Sequence, residues 1–206
     1  PADADAITAA GADYWPLAVA RELDDAILHL RSNELELGTW LLKTAGDSDA
    51  VAAFDAQLVA LQDHWLVRET TLYLKRVLKR LDVTSRTLFA VVEPGSCFVG
   101  LLAELLFAAD RSYMLDGQVE GEDTPAATIR LSAMNFGPLP MPNDLTRLAT
   151  RFLGEPESIE KARGLIGDDL EGRDALAAGL VTFAPDDIDW EDELRLAIEE
   201  RASYSP

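Results

Sequence analysis

The chain has 206 residues, 48% of them hydrophobic and 27% charged, a composition suited to a packed globular protein and not to a disordered one. Its 37 acidic against 18 basic residues give a formal net charge of −19, a far field that repels nucleic acid and anionic membrane. The same field opposes a tightly held phosphorylated cofactor unless some of Arg111, Arg130, Arg147, Arg151 and Lys161 cluster locally.

The chain begins Pro1-Ala2-Asp3-Ala4-Asp5, without an initiator Met or a basic-then-apolar leader, and reads as a piece of a longer protein. Residues 16–31 place Val19, Leu23, Ala26, Ile27 and Leu30 on one helical face behind Pro16 in the first turn. Leu37 to Thr44 is a short apolar run closed by Ala45-Gly46-Asp47, which suits a buried strand. From about 50 to 80 the spacing predicts one long helix through Phe54, Leu58, Leu61, Trp65, Leu72 and Leu78, with its cations gathered in the last turn.

Thr87 to Val92 reads as a second buried strand, followed by the turn Glu93-Pro94-Gly95-Ser96 and a helix entered through Gly100. That helix is apolar from Leu101 to Ala109 except for Glu104, far short of the ~20 residues that span a bilayer. Arg111 to Leu115 is a third strand, residues 116–124 an acidic turn, and Thr128 to Leu131 a further strand. After the loop Gly137-Pro138-Leu139-Pro140-Met141-Pro142, Asn143 is expected to cap a helix with Leu145, Leu148, Ala149 and Phe152 on its face, ended by Gly154. Short helices near 157–165 and 172–178, a strand at Leu180 to Phe183 and a helix from Glu191 complete the pattern. Strands alternating with helices argue for an α/β fold with a largely parallel sheet, organised as a single domain: a sheet-building part at about 16–136 and a helical part at about 143–206.

In such a fold the carboxyl ends of strands gather ligands, because the following turns point N–H groups outward. The segment from Phe89 to Arg111 is such a place: strand, Pro/Gly turn, Gly100, then Glu104 one helical turn on, then Asp110-Arg111 opening the next strand. This arrangement resembles the central motif of the crotonase (enoyl-CoA hydratase/isomerase) superfamily. Thr39 to Asp47 is similar to the strand leading to the family's first oxyanion loop, and Ala162 to Val181, with Gly167-Asp168 and Ala178-Gly179-Leu180-Val181, is similar to its later helical stretch. Within the superfamily, Glu93-Pro94-Gly95-Ser96-Cys97-Phe98 and Ala109 to Leu115 look most like the longer-chain lyases that open dearomatised acyl-CoA rings.

The resemblance implies a ClpP/crotonase-type spiral of β-β-α units with peripheral helices, in a lyase that acts on a CoA thioester and releases formate. It implies no separate cofactor, CoA being part of the substrate. This chain would be the later half of the parent protein, with the catalytic N-terminal half as its partner and a homodimer as the assembly. Backbone donors at Gly100 and Leu101, continuing to Leu102, would polarise the thioester oxygen, each such donor being worth roughly 10²–10³ in rate. Glu104 would be the carboxylate beside them.

Three departures from the pattern point the other way. Asp47-Ser48-Asp49-Ala50 replaces the usual glycine-bearing first loop, so two acids stand where an anion should gather. The glycine run is reduced to Gly100, followed by Leu101 and Leu102. The second carboxylate of a hydratase falls at Met134 or Asn135, with Glu120, Glu122 and Asp123 stranded in the preceding turn. Without a pair, acid and base roles cannot be divided. Glu104 is therefore read either as a general base of raised pKa or as a buried carboxylate paired with an arginine, in a half that serves as scaffold and dimerisation surface.

Other candidates are weaker. Cys97, the single cysteine, is either an activated thiolate or a packing residue, and its solitude excludes an internal disulfide and suits a reducing cytoplasm. His29 and His64 lack a second ligand at metal spacing, so no metal site is expected. The acidic run from Asp186 to Glu193 lacks the order of a calcium loop and reads as a turn and helix N-terminus. Trp15, Trp40, Trp65 and Trp190 are scattered and read as packing residues.

Overall fold

The computed structural model describes residues 3–118 and 124–206. It opens with a helix that the hydrophobic spacing does not reveal, α1 (Ala4–Ala10), capped by the Asp3 carboxylate, which accepts the Ala6 N–H at 2.8 Å. Helix α2 (Trp15–Asn33) carries Pro16 in its first turn and buries Ala20 and Ile27. Strand β1 (Thr39–Leu42) follows.

The stretch from 50 to 80 is two helices and not one: α3 (Ser48–Ala60) and α4 (Trp65–Asp82). The break falls at Leu61-Gln62-Asp63-His64, where three polar residues in succession leave nothing to bury and His64 turns to extended backbone. α4 then restarts with its own apolar stripe of Leu66, Val67, Leu74, Val77, Leu78 and Leu81.

Strand β2 (Thr87–Val92) lies at the centre of a parallel sheet in the order β1-β2-β4, with β4 spanning Arg111–Met114. Its period of two divides the core: Leu88, Ala90 and Val92 face the main apolar cluster, while Phe89 and Val91 join Tyr113, Leu115, Trp190 and Ala197 on the opposite face. That second cluster exists because the last helix, α9 (Trp190–Ala202), lies across the back of the sheet. A strand buried on both faces explains the unbroken apolar run in the sequence.

A second small sheet is built from β3 (Phe98–Val99), β5 (Ile129–Arg130) and β6 (Asp169–Leu170); β3 and β5 are parallel, β5 and β6 antiparallel. The short helix α5 (Ala103–Ala108) follows Gly100. Further on come α6 (Arg147–Arg151), α7 (Pro156–Gly164) and α8 (Gly172–Ala177). Thr146, not Asn143, caps α6, its hydroxyl accepting the Ala149 N–H at 3.0 Å; Asn143 instead closes a local turn by accepting the Leu145 N–H. Leu180 to Phe183 makes only one parallel bridge, Tyr113 to Phe183, and does not extend into a strand. Among the described residues no helix is long and apolar enough to cross a membrane.

Candidate functional site

The turn after β2 is self-contained: the Ser96 hydroxyl accepts the Glu93 N–H at 3.0 Å, and Gly95 takes a positive φ of 83°. The chain passes through β3 and reaches Gly100 with φ 47°. A Cβ at Gly100 would stand 2.4 Å from Asp55 Cγ. Glycine is thus required twice at this position, once by the left-handed backbone and once by the carboxylate pressed against it.

Asp55 reaches this turn from α3, which presents Val51, Asp55 and Leu58 on its buried face. Its Oδ1 accepts the Leu101 N–H at 2.7 Å, and the carboxyl is only 1% exposed. The neighbouring donors are taken as well: Gly100 N–H donates to the Arg130 carbonyl at 3.0 Å and Leu102 N–H to the Val99 carbonyl at 2.9 Å. Every N–H of the candidate oxyanion segment therefore has an acceptor from within the chain. Burial raises the Asp55 carboxyl from 3.8 to about 6, opposed by the Ser132 hydroxyl and the Leu101 N–H.

The first loop is filled in the same manner. Asp47 caps α3, its Oδ1 accepting the Asp49 N–H at 2.9 Å and the Ala50 N–H at 3.1 Å, so a carboxylate of the chain itself sits on the positive end of the helix.

Glu104 is 1% exposed and held at both oxygens. Asn135 Nδ2 donates to Oε1 at 2.7 Å and to the Gly100 carbonyl at 2.9 Å; Arg147 Nη1 donates to Oε2 at 2.6 Å. Arg147 is itself buried, and its remaining N–H groups grip Asp82 at 3.0 and 2.7 Å and the Leu139 carbonyl at 3.0 Å. Burial pushes the Glu104 carboxyl up to about 7; the Arg147 charge and the Asn135 amide pull it back. Asn135, one of the two positions (Met134 or Asn135) at which the sequence register expects a hydratase's second carboxylate, stands beside Glu104, and its amide donates a hydrogen bond to that carboxyl.

Glu104 and Gly100 are thus joined through Asn135, next to Leu101, with Asp55, Arg147 and Asp82 packed around them. Arg147 does not cluster with the other cations. Arg130 pairs with Asp169 and Asp49 at 2.8 Å each, Arg111 approaches Glu200 at 3.8 Å, and Arg151 donates to the Gly179 carbonyl. Asp55 does leave a trace in the sequence: an acid at the helical spacing of an apolar face, between Val51 and Leu58.

A cleft of about 670 Å³ opens at the carboxyl ends of β1 and β2, walled by Trp15, Phe54, Lys43, Thr44, Asp47 and Cys97. Trp15 stacks on Phe54 at 5.0 Å, and Lys43 is spent on Glu93 at 2.6 Å. Cys97 is buried, and burial pushes its thiol up, reinforced by the Asp47 charge and opposed by the Thr44 hydroxyl; this is a packing thiol and not an activated one. His29 is held by Asn33 at 3.1 Å, and His64 lies 3.2 Å from the Thr8 hydroxyl. Among the described residues no group of three His, Cys, Asp or Glu side chains could hold a metal ion. Trp40 and Trp190 are buried, whereas Trp65 is exposed on α4. Glu120, Glu122 and Asp123 lie outside the described residues.

No family model matches the chain. It is 50% identical over 200 residues to benzoyl-CoA-dihydrodiol lyase of Aromatoleum evansii, covering 97% of this chain and 35% of that protein. Among solved structures it is similar to an enoyl-CoA hydratase from Bacillus anthracis (TM-score 0.61, 17% identity, 91% of this chain and 67% of that one). An enoyl-CoA hydratase/isomerase from Xanthobacter autotrophicus Py2 is equally similar (TM-score 0.61, 16% identity, 91% and 64%). Half of the residues shared along nearly the whole chain, together with the fold of the hydratases, make this a crotonase-fold chain homologous to benzoyl-CoA-dihydrodiol lyase, of whose length it spans about a third.

Proposed function

We propose that this chain is the scaffold part of a CoA-thioester lyase that opens a dearomatised benzoyl-CoA ring and releases formate, with the chemistry done in another part of the same protein. No separate cofactor is needed in this reading, and the scaffold packs on the catalytic part and helps to dimerise it in the cytoplasm. The observation that carries the proposal is Asp55 Oδ1 on the Leu101 N–H at 2.7 Å. An oxyanion hole works by presenting unfilled, preorganised donors to charge that develops in the transition state. A donor already bound to a fixed carboxylate has nothing left to offer, and the fixed negative charge repels an enolate.

The test is activity of the full-length protein carrying Glu104→Gln. A rate within a few-fold of the parent is expected; a loss of about 10³, or ~4 kcal/mol, overturns the scaffold reading.

A second reading rests on the Glu104 carboxyl at about 7, a value at which a general base works well at neutral pH. In it this chain is itself a hydratase or lyase, with Glu104 as base and Gly100 to Leu102 as the oxyanion segment. Calorimetric titration of the chain with benzoyl-CoA separates the two: micromolar binding favours this reading, and absence of heat at millimolar ligand favours the scaffold.

A further inference from the structure

At the amino ends of the strands, on the side of the sheet away from Glu104, lies a cleft of about 530 Å³ walled in part by Arg86, Arg111, Arg201, Thr84 and Tyr204. Three guanidinium groups on one small surface are unexpected in a chain of net charge −19. Their partners are mostly neutral. Arg86 donates to the carbonyls of Ser85 and Leu35 at 3.1 and 3.3 Å. Arg201 donates to the Thr87 hydroxyl and to the carbonyls of Ser205 and Gly38.

Two carboxylates and the last residue, Pro206, also line the cleft; both carboxylate charges act on Arg111, which in addition bonds the Tyr113 side chain, and neither makes a close pair with Arg86 or Arg201. Glu200 stands 3.8 Å from Arg111 on an exposed side chain, and Asp110 also accepts the Leu88 N–H at 2.8 Å. The carbonyls at the end of α9, a negative pole, are capped by the Ser203 and Tyr204 N–H groups. Two polar atoms of the lining residues are buried and lack any partner among the described residues: Arg86 Nε and Thr84 Oγ1. These two buried, unpaired atoms belong to residues that line a cationic cleft, and a small shift of either side chain toward a bound anion would satisfy them.

We propose that this cleft binds a small, doubly charged oxyanion, held by Arg86, Arg111 and Arg201 with Thr84. Guanidinium forks suit both phosphate and carboxylate, so the shared chemistry is the oxyanion, and the probes separate the two sources. The site is remote from the Gly100 turn and independent of any chemistry there.

The experiment is amide hydrogen exchange of the full-length protein with millimolar pyrophosphate or succinate. Exchange in residues 83–88 and 199–206 is expected to slow by about twofold or more as the probe reaches its dissociation constant. Slowing by pyrophosphate alone assigns phosphate chemistry, by succinate alone carboxylate chemistry, and by both a general dianion site. Arg111→Gln, at a side chain on the surface, is expected to abolish the slowing while leaving probe-free exchange as in the parent. No slowing with either probe, or equal slowing in Arg111→Gln, overturns the proposal.

Discussion

The two ends of the β1-β2-β4 sheet have opposite electrostatic characters. At the carboxyl end, donors meet acceptors from within the chain: Leu101 meets Asp55, the α3 N-terminus meets Asp47, and Glu104 behind the turn meets Arg147. At the amino end, Arg86 and Arg201 lean on backbone carbonyls, Arg111 only approaches Glu200, and two buried polar atoms find nothing. The end that looks functional by motif is closed by its own side chains, while the end that no motif marks keeps unused donors. A motif locates a turn; the partners of its N–H groups say whether the turn is available.

The sharpest way to break this contrast is at Arg147. Arg147→Met leaves Glu104 and Asp82 buried without their cation and is expected to cost about 3–5 kcal/mol, read from urea unfolding. A cost below about 1 kcal/mol would mean that the closed end is not held by this pair.

Gly100→Ala forces a Cβ against the Asp55 carboxylate at a left-handed backbone position. It is expected to cost about 2–4 kcal/mol by the same measurement. The double substitution Gly100→Ala with Asp55→Ala should recover the part due to collision and keep the part due to backbone.

Asp55→Asn tests the closure by pH. With the folded carboxyl at about 6 and the ordinary value at 3.8, the folded protein keeps a proton that the unfolded chain has released between these values. The contribution of Asp55 is complete below pH ~4 and lost as pH rises through about 6, on the order of 3 kcal/mol. Stability of the Asn variant relative to the parent should therefore rise by that order between pH 4 and 7. A pH-independent difference would sink the raised carboxyl. The smallest effect belongs to the other end of the sheet: Arg111→Gln, at a loose surface pair, should change stability by less than about 0.5 kcal/mol.

How far the sequence reveals this molecule depends on the range of the interactions. Strand β2 matches its apolar run residue for residue, since burial on both faces leaves a pattern that needs no knowledge of partners. The cap of α6 is displaced by three residues, from Asn143 to Thr146, because both residue types cap and only packing chooses between them. The predicted single helix at 50–80 fails at Gln62-Asp63-His64, where its apolar spacing continues across a break. At the site, Glu104 and Gly100 stand out in a local motif. Arg147 does not, and Asp55 shows only as an acid on an apolar helical face, because the partners that give them meaning lie 43 and 46 residues away.

Arg130 carries a consequence for the order of assembly. Its carbonyl holds the Gly100 N–H, and its guanidinium clips Asp49 at a separation of 81 residues and Asp169 at 39. Three stretches distant in the chain are riveted through one residue, so the rivet closes only after loops of that length have been ordered, and longer loops close at a greater entropic cost. On the ribosome, β1, α3, α4 and β2 emerge before Asp169 exists to complete the clip. The Gly100 N–H thus gains its acceptor only once residue 130 has been made, and the residue that supplies it is clipped only once residue 169 has.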